Sequence, residues 1–98
     1  MTGKERAGWR AKAQQLEPIV HIGRDGITDN VVRQTDEALT ARELIKCAVQ
    51  RGSEHDARSA CDELAARTGA EPISVIGRRF VLYRYSPDKH KKSNESHT

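Results

Sequence analysis

Residues 21–28, His-Ile-Gly-Arg-Asp-Gly-Ile-Thr, have the types and spacing to hold an anion. Gly23 and Gly26 frame a Gly-x-x-Gly turn, in which the backbone bends tightly and admits another backbone at close range. Thr28 is a good N-cap, and Asp29 falls in the first turn, where the helix dipole favours an acid. A helix starting there turns free N–H groups and the positive end of its dipole towards the glycines. Phosphate suits such a corner. Arg24 adds a permanent, planar cation inside the turn. Asp25 has the wrong sign for phosphate. The expectation is that Arg24 faces the ligand while Asp25 turns to the protein, towards an arginine or a free N–H.

Other chemistries find little support. Ser53, His55 and Asp56 contain the residue types of a triad, but neighbours at one helix start do not converge as nucleophile, base and acid. Cys47 and Cys61 stand alone without a C-x-x-C, so neither a disulfide framework nor a zinc site is expected, and both read as small buried residues. His90 and His97 do not make a metal cage. His21 beside the turn reads as a partly buried histidine. No acid–base pair is visible, so the expectation is a protein without catalytic residues, metal or cofactor.

The elements that must position the turn follow from periodicity. Lys4 to Leu16 reads as a helix with Trp9, Ala13 and Leu16 on one stripe, stopped by Pro18. Ile19–Ile22 is a first strand. The second helix starts at the Thr28 cap, with Ile27 and Val32 as a hydrophobic staple, and ends near Ala41-Arg42. Leu44–Gln50 is a second strand, with Ile45, Cys47 and Val49 on one face. Ser53 with Asp56 reads as a capping box for a third helix, and Gly69 ends it. Pro72 opens a third strand. Gly77-Arg78-Arg79 makes a tight connection, and Phe80–Tyr85 is an apolar fourth strand with Tyr83 in the core.

Strand–helix–strand crossovers imply parallel neighbours and right-handed connections. If strands one to three run the same way, their carboxyl ends share one edge. Arg24, Arg51, Arg78 and Arg79, distant in sequence, then converge beside the glycine turn, where open α/β sheets place ligands.

Composition is consistent with this reading. The chain has 98 residues, the size of one domain. Aromatics are 4% and hydrophobic residues 36%, so the core is aliphatic and modest. The net charge of +3 is small, so any strongly positive surface must come from arrangement. Without a membrane-length apolar run or a signal core, the expectation is a monomeric cytoplasmic protein with no small-molecule substrate. Residues 1–85 read as the domain and 86–98 as a disordered polar tail with Lys89, Lys91 and Lys92.

The chain resembles a CRM domain (chloroplast RNA splicing and ribosome maturation) in its bacterial stand-alone, YhbY-type form, from Arg10 to about Tyr85. The carriers are Leu16-Glu17-Pro18-Ile19-Val20, Ile22-Gly23-Arg24-Asp25-Gly26-Ile27-Thr28, Glu43-Leu44-Ile45-Lys46, Thr68-Gly69 and the run Val75 to Arg84. The resemblance implies an RNA-binding protein that associates with ribosomal RNA of precursors of the large ribosomal subunit. It also implies an α/β two-layer sandwich, α-β-α-β-α-β-β, like the C-terminal domain of translation initiation factor three. Its mixed four-stranded sheet has order 1-2-4-3 with strand four antiparallel. Carried over by position, the Gly23–Gly26 loop contacts the RNA backbone, and Arg78 is the basic residue after Gly77. With the residue reading added, the expected RNA contacts are Gly23, Arg24, Asp25, Gly26, Thr28, Arg51, Gly77, Arg78 and Arg79. Arg10 and Lys12 of the first helix extend them, as do Lys46 and Arg84 on the open sheet face. The alternative is an adaptor of the translation machinery whose charge faces an acidic protein.

Overall fold

The computed structural model describes residues 1–90. The elements are α1 (Gly3–Ala13), β1 (Pro18–Ile22), α2 (Asp29–Arg42), β2 (Leu44–Val49), α3 (Ala57–Thr68), β3 (Glu71–Ile76) and β4 (Arg79–Tyr83). Their order is the one read from sequence, with ends moved by a few residues.

Local chemistry sets those ends. Thr2 caps α1 in a capping box: its hydroxyl accepts from the Glu5 N–H at 3.1 Å, and the Glu5 carboxylate accepts from the Thr2 N–H at 3.4 Å. The Thr28 hydroxyl accepts from the Val31 N–H at 3.2 Å, a cap worth about 1 kcal/mol. Ile27 and Val32, the predicted staple, pack half-buried against the main core. The predicted Ser53–Asp56 capping box does not form. Asp56 itself is the N-cap of α3, accepting from the Ser59 N–H at 3.1 Å, so the Ser53 hydroxyl is left for another partner. Gly69 ends α3 in the left-handed conformation at φ 72°.

The four strands form one sheet of order β1-β2-β4-β3. β1 and β2 are parallel, and β4 is antiparallel to both β2 and β3. β1, β2 and β3 therefore run the same way. Alternation along the strands divides the side chains between two faces. Val20, Ile22, Ile45, Cys47, Val49, Phe80 and Leu82 meet the apolar faces of α2 and α3 in the main core. Leu44 and Val81 point the other way and, with Ile73, meet Ala13, Trp9 and Leu16 of the α1 segment. Trp9 stacks on Tyr83 with ring centroids 4.3 Å apart. The expected two layers are the sheet and the α2/α3 pair. α1 adds a partial third layer on the opposite face.

The tail needs a correction at its start. Residues from Ser86 were expected to be disordered, yet Ser86 is 2% exposed and Pro87–His90 form a helical turn. The Ser86 N–H donates to the Glu43 carboxylate at 3.0 Å and its hydroxyl donates to the Thr40 carbonyl. The Lys89 ammonium donates to the Arg42 carbonyl at 3.2 Å, and His90 Nε2 lies 2.9 Å from the Glu43 carboxylate. The segment is polar, so its composition reads as unstructured. Its order comes from acceptors at the α2–β2 junction. Glu43 is buried there at φ 73°, the single non-glycine residue with positive φ among the described residues. Burial pushes its carboxyl up, but the Ser86 N–H, His90 and Lys89 outweigh this and hold it below the ordinary value. The expectations for Lys91, Lys92 and His97 concern positions outside the described residues.

Candidate functional site

The edge is built by backbone hydrogen bonds at the strand ends. The Gln50 N–H donates to the Ile22 carbonyl at 2.8 Å, which sets the end of β1 beside the end of β2. The Val49 N–H donates to the Arg78 carbonyl at 2.8 Å, which lays the β3–β4 turn across the same end. The predicted convergence of the three carboxyl ends is thus observed. Arg24, Arg51, Arg78 and Arg79 are all exposed, and none makes an ion pair among the described residues. The other arginines that are paired there, Arg6, Arg67 and Arg84, lie away from these three turns in sequence.

The glycine turn is closed by the Gly26 N–H donating to the Gly23 carbonyl at 3.1 Å. Gly26 is buried with φ 73°, and a Cβ there would fall into the His55 ring, with Cε1 at 2.5 Å. Only glycine meets both demands. The Ser53 hydroxyl donates to the Gly23 carbonyl at 3.0 Å, tying the turn after β2 to the turn after β1. Arg67 of α3 reaches the Ile27 carbonyl at 3.5 Å and Asp29 at 3.4 Å. Sequence reasoning missed Ser53, His55 and Arg67 as supports of this corner. Their partners lie 29 to 40 residues away, and no local pattern announces such contacts.

Two expectations at the turn change. Asp25 does not turn inward: it is exposed beside Arg24 and makes no ion pair among the described residues. The N–H groups of Gly26 and Thr28 are already taken by the Gly23 and Gly26 carbonyls, and Arg67 goes to Asp29. The Thr28 side chain is spent as the α2 cap. His21, expected partly buried, is exposed, because strand alternation turns it away from the main core.

The remaining predicted contacts divide. Arg10 and Lys12 are exposed on α1, with the Lys12 ammonium 5.1 Å from the Trp9 ring centroid. Lys46 is half-buried on β2, on the sheet face that α1 covers. Gly77 turns the chain at φ 61°. Arg84 is not on the open face. It donates to the Asp36 carboxylate and the Thr68 carbonyl, both at 2.7 Å, and to the Asp36 carbonyl and Thr40 hydroxyl, both at 3.0 Å. Four acceptors from α2 and the end of α3 take up both terminal guanidinium nitrogens, so Arg84 is a structural tie.

Charge is distributed unevenly about the sheet. α1 carries four basic residues against one acid, whereas α2 and α3 together carry four against five. The registers also set His21, Ala48, Arg79 and Ile76 in one row across the sheet. Among the described residues no group of His, Cys, Asp and Glu is placed to hold a metal ion, and no helix is long and apolar enough to cross a membrane. Burial pushes the Cys47 thiol up to about 12 and the Cys61 thiol up to about 11.

The architecture defines a class: small α/β domains with a mixed four-stranded sheet and a glycine turn flanked by basic residues at one sheet edge. Within it, the CRS1/YhbY (CRM) domain model matches residues 1–84, and the chain belongs to that family. It is 38% identical over 88 residues to the "Probable RNA-binding protein YqeI" of Bacillus subtilis, covering 90% of this chain and 92% of that one. It is 36% identical over 86 residues to the "Probable RNA-binding protein MJ0652" of Methanocaldococcus jannaschii, covering 86% of this chain and 63% of that one. The solution structure of SAV1595 from Staphylococcus aureus superposes with a TM-score of 0.76 at 37% identity, covering 88% of this chain and 90% of the other. These relatives are named for binding RNA and not for a reaction.

Proposed function

We propose that this protein binds structured RNA by its phosphate backbone, at the edge formed by the Gly23–Gly26 turn and Arg24, Arg51, Arg78 and Arg79. One observation carries the reading: four exposed arginines stand at the strand ends of the edge that carries the glycine turn, without a carboxylate partner among the described residues. Arginine forks suit phosphate oxygens, and the turn lets an RNA backbone approach closely. Aromatic residues are few, so shape and backbone are read rather than base sequence. The names of the relatives support RNA as the ligand. The RNA we infer is ribosomal RNA of an assembling large subunit, bound by a cytoplasmic monomer.

The test is crosslinking of the protein to RNA in fractionated cell extract, followed by mapping of the sites. Crosslinks concentrated in large-subunit ribosomal RNA, in particles lighter than the mature subunit, are the expected result. Co-sedimentation that survives complete RNA digestion would instead favour a protein partner.

A further inference from the structure

A cleft of about 200 Å³ opens between α1 and the sheet face that α1 partly covers. Its rim carries Arg10 from α1, Lys46 from β2 and Arg79 from β4. No carboxylate lines it, and none of the three cations makes an ion pair among the described residues. Like charges gathered at one small opening repel one another in the free protein, and a bound anion relieves that repulsion.

The interior differs from the rim. Ala13 and Val81, 2% and 5% exposed, close its apolar floor, and Ile76 stands at the mouth, 72% exposed. Gln14 and Ser74 add an amide and a hydroxyl, both able to donate and to accept. An apolar floor and mouth, hydrogen-bonding side chains and a cationic rim match the parts of a nucleotide: flat base faces, a polar base edge and a phosphate. A base inside a duplex has its faces stacked and its pairing edge engaged, so it does not enter such a cleft. An unpaired base does.

We propose that this cleft takes an unpaired nucleotide of the bound RNA. Its base lies on the exposed Ile76 side chain above the Ala13–Val81 floor, with its edge towards Gln14 and Ser74 and its phosphates on Arg10, Lys46 and Arg79. The inference rests on the RNA-binding reading above and deepens it. An edge that grips backbone without regard to sequence gains a preference for a bulge, loop or single-stranded flank. Arg79 joins the two surfaces, because its register partners Ala48 and Ile76 lie in the row that ends at His21, next to the glycine turn.

The experiment compares a fully paired RNA hairpin with the same hairpin carrying a short bulge, each titrated against the full chain by fluorescence anisotropy. The bulged RNA is expected to bind about 10- to 100-fold more tightly, the range that covering an exposed isoleucine side chain supplies. Ile76→Ser, and separately Ser74→Ala, should remove most of that preference and leave affinity for the paired hairpin unchanged. Ile76 is exposed, so folding of its variant is expected to persist and is checked by circular dichroism. Equal affinity of the wild type for both RNAs would overturn the proposal, as would a preference undiminished in both variants. Poly-glutamate displacing the bulged RNA as well as a single-stranded RNA of equal charge would overturn it too, since charge alone would then be read. Loss of binding to both RNAs alike would strike the RNA reading itself, and is thereby distinguished from failure of the cleft.

Discussion

The Ser53 hydroxyl and the Gly23 carbonyl, 3.0 Å apart, hold the turn after β2 against the turn after β1. The same carbonyl closes the glycine turn by accepting from Gly26, so one oxygen carries two of the bonds that shape the edge. Ser53→Ala removes one of them. Stability should fall by about 1 kcal/mol in urea unfolding. RNA affinity should fall several-fold at temperatures where the variant is fully folded, because the loosened turn no longer presents Arg24 and Arg51 together.

Gly26→Ala meets two obstacles, the positive φ and the His55 ring. It should cost about 1–3 kcal/mol. Adding His55→Ala should relieve the steric part and leave the conformational part. A double-mutant cycle in urea then returns a coupling of about 1 kcal/mol between these two positions. Additive effects would mean that the ring moves aside freely.

Exposed and consumed arginines should separate experimentally. Arg24→Ala and Arg78→Ala each remove one phosphate contact, so the slope of log affinity against log salt should flatten by about 0.7–0.9 per variant, with thermal stability unchanged. Arg84→Ala should leave the slope alone and lower stability by about 1–3 kcal/mol, since the Asp36 and Thr68 acceptors lose their donor.

Glu43 links stability to pH. Its carboxyl is held below the ordinary value by Ser86, His90 and Lys89 against the opposing effect of burial. A depressed pKa in the folded state means that the unfolded chain takes up the proton first. The stabilisation is therefore complete above the ordinary value of 4.5 and is lost as pH falls through the lower, folded value. Glu43→Gln should be less stable than the wild type at neutral pH. The gap should narrow below about pH 4.5, as measured by urea unfolding across an acid series.

Cys47 and Cys61 are both fully buried, with thiols pushed up to about 12 and about 11. Neither should react with a thiol-specific disulfide reagent at pH 8 until the protein unfolds. Labelling that tracks the denaturation curve is the expected outcome.

What the sequence determined by itself is the order of elements, their approximate ends and the edge where three strands finish. These follow from local rules: strand and helix periods, the Thr28 cap, the Gly69 stop, and the right-handed crossover that makes β1, β2 and β3 run together. Local rules also carried Arg24, Arg51, Arg78 and Arg79 to one edge, because strand direction alone places strand ends. Tertiary structure decided which charged side chains remain available there. Arg84 and Arg24 are the same residue type, yet one meets four acceptors from α2 and α3 while the other meets solvent. Asp25 faces out, while the Gly26 and Thr28 N–H groups and Arg67 go to other partners. Ser86 is ordered because Glu43, 43 residues earlier, offers a buried carboxylate. In each case the outcome depends on which polar groups the packed elements bring within hydrogen-bond distance. Side-chain periodicity sets the face of a residue, and only packing sets its partners.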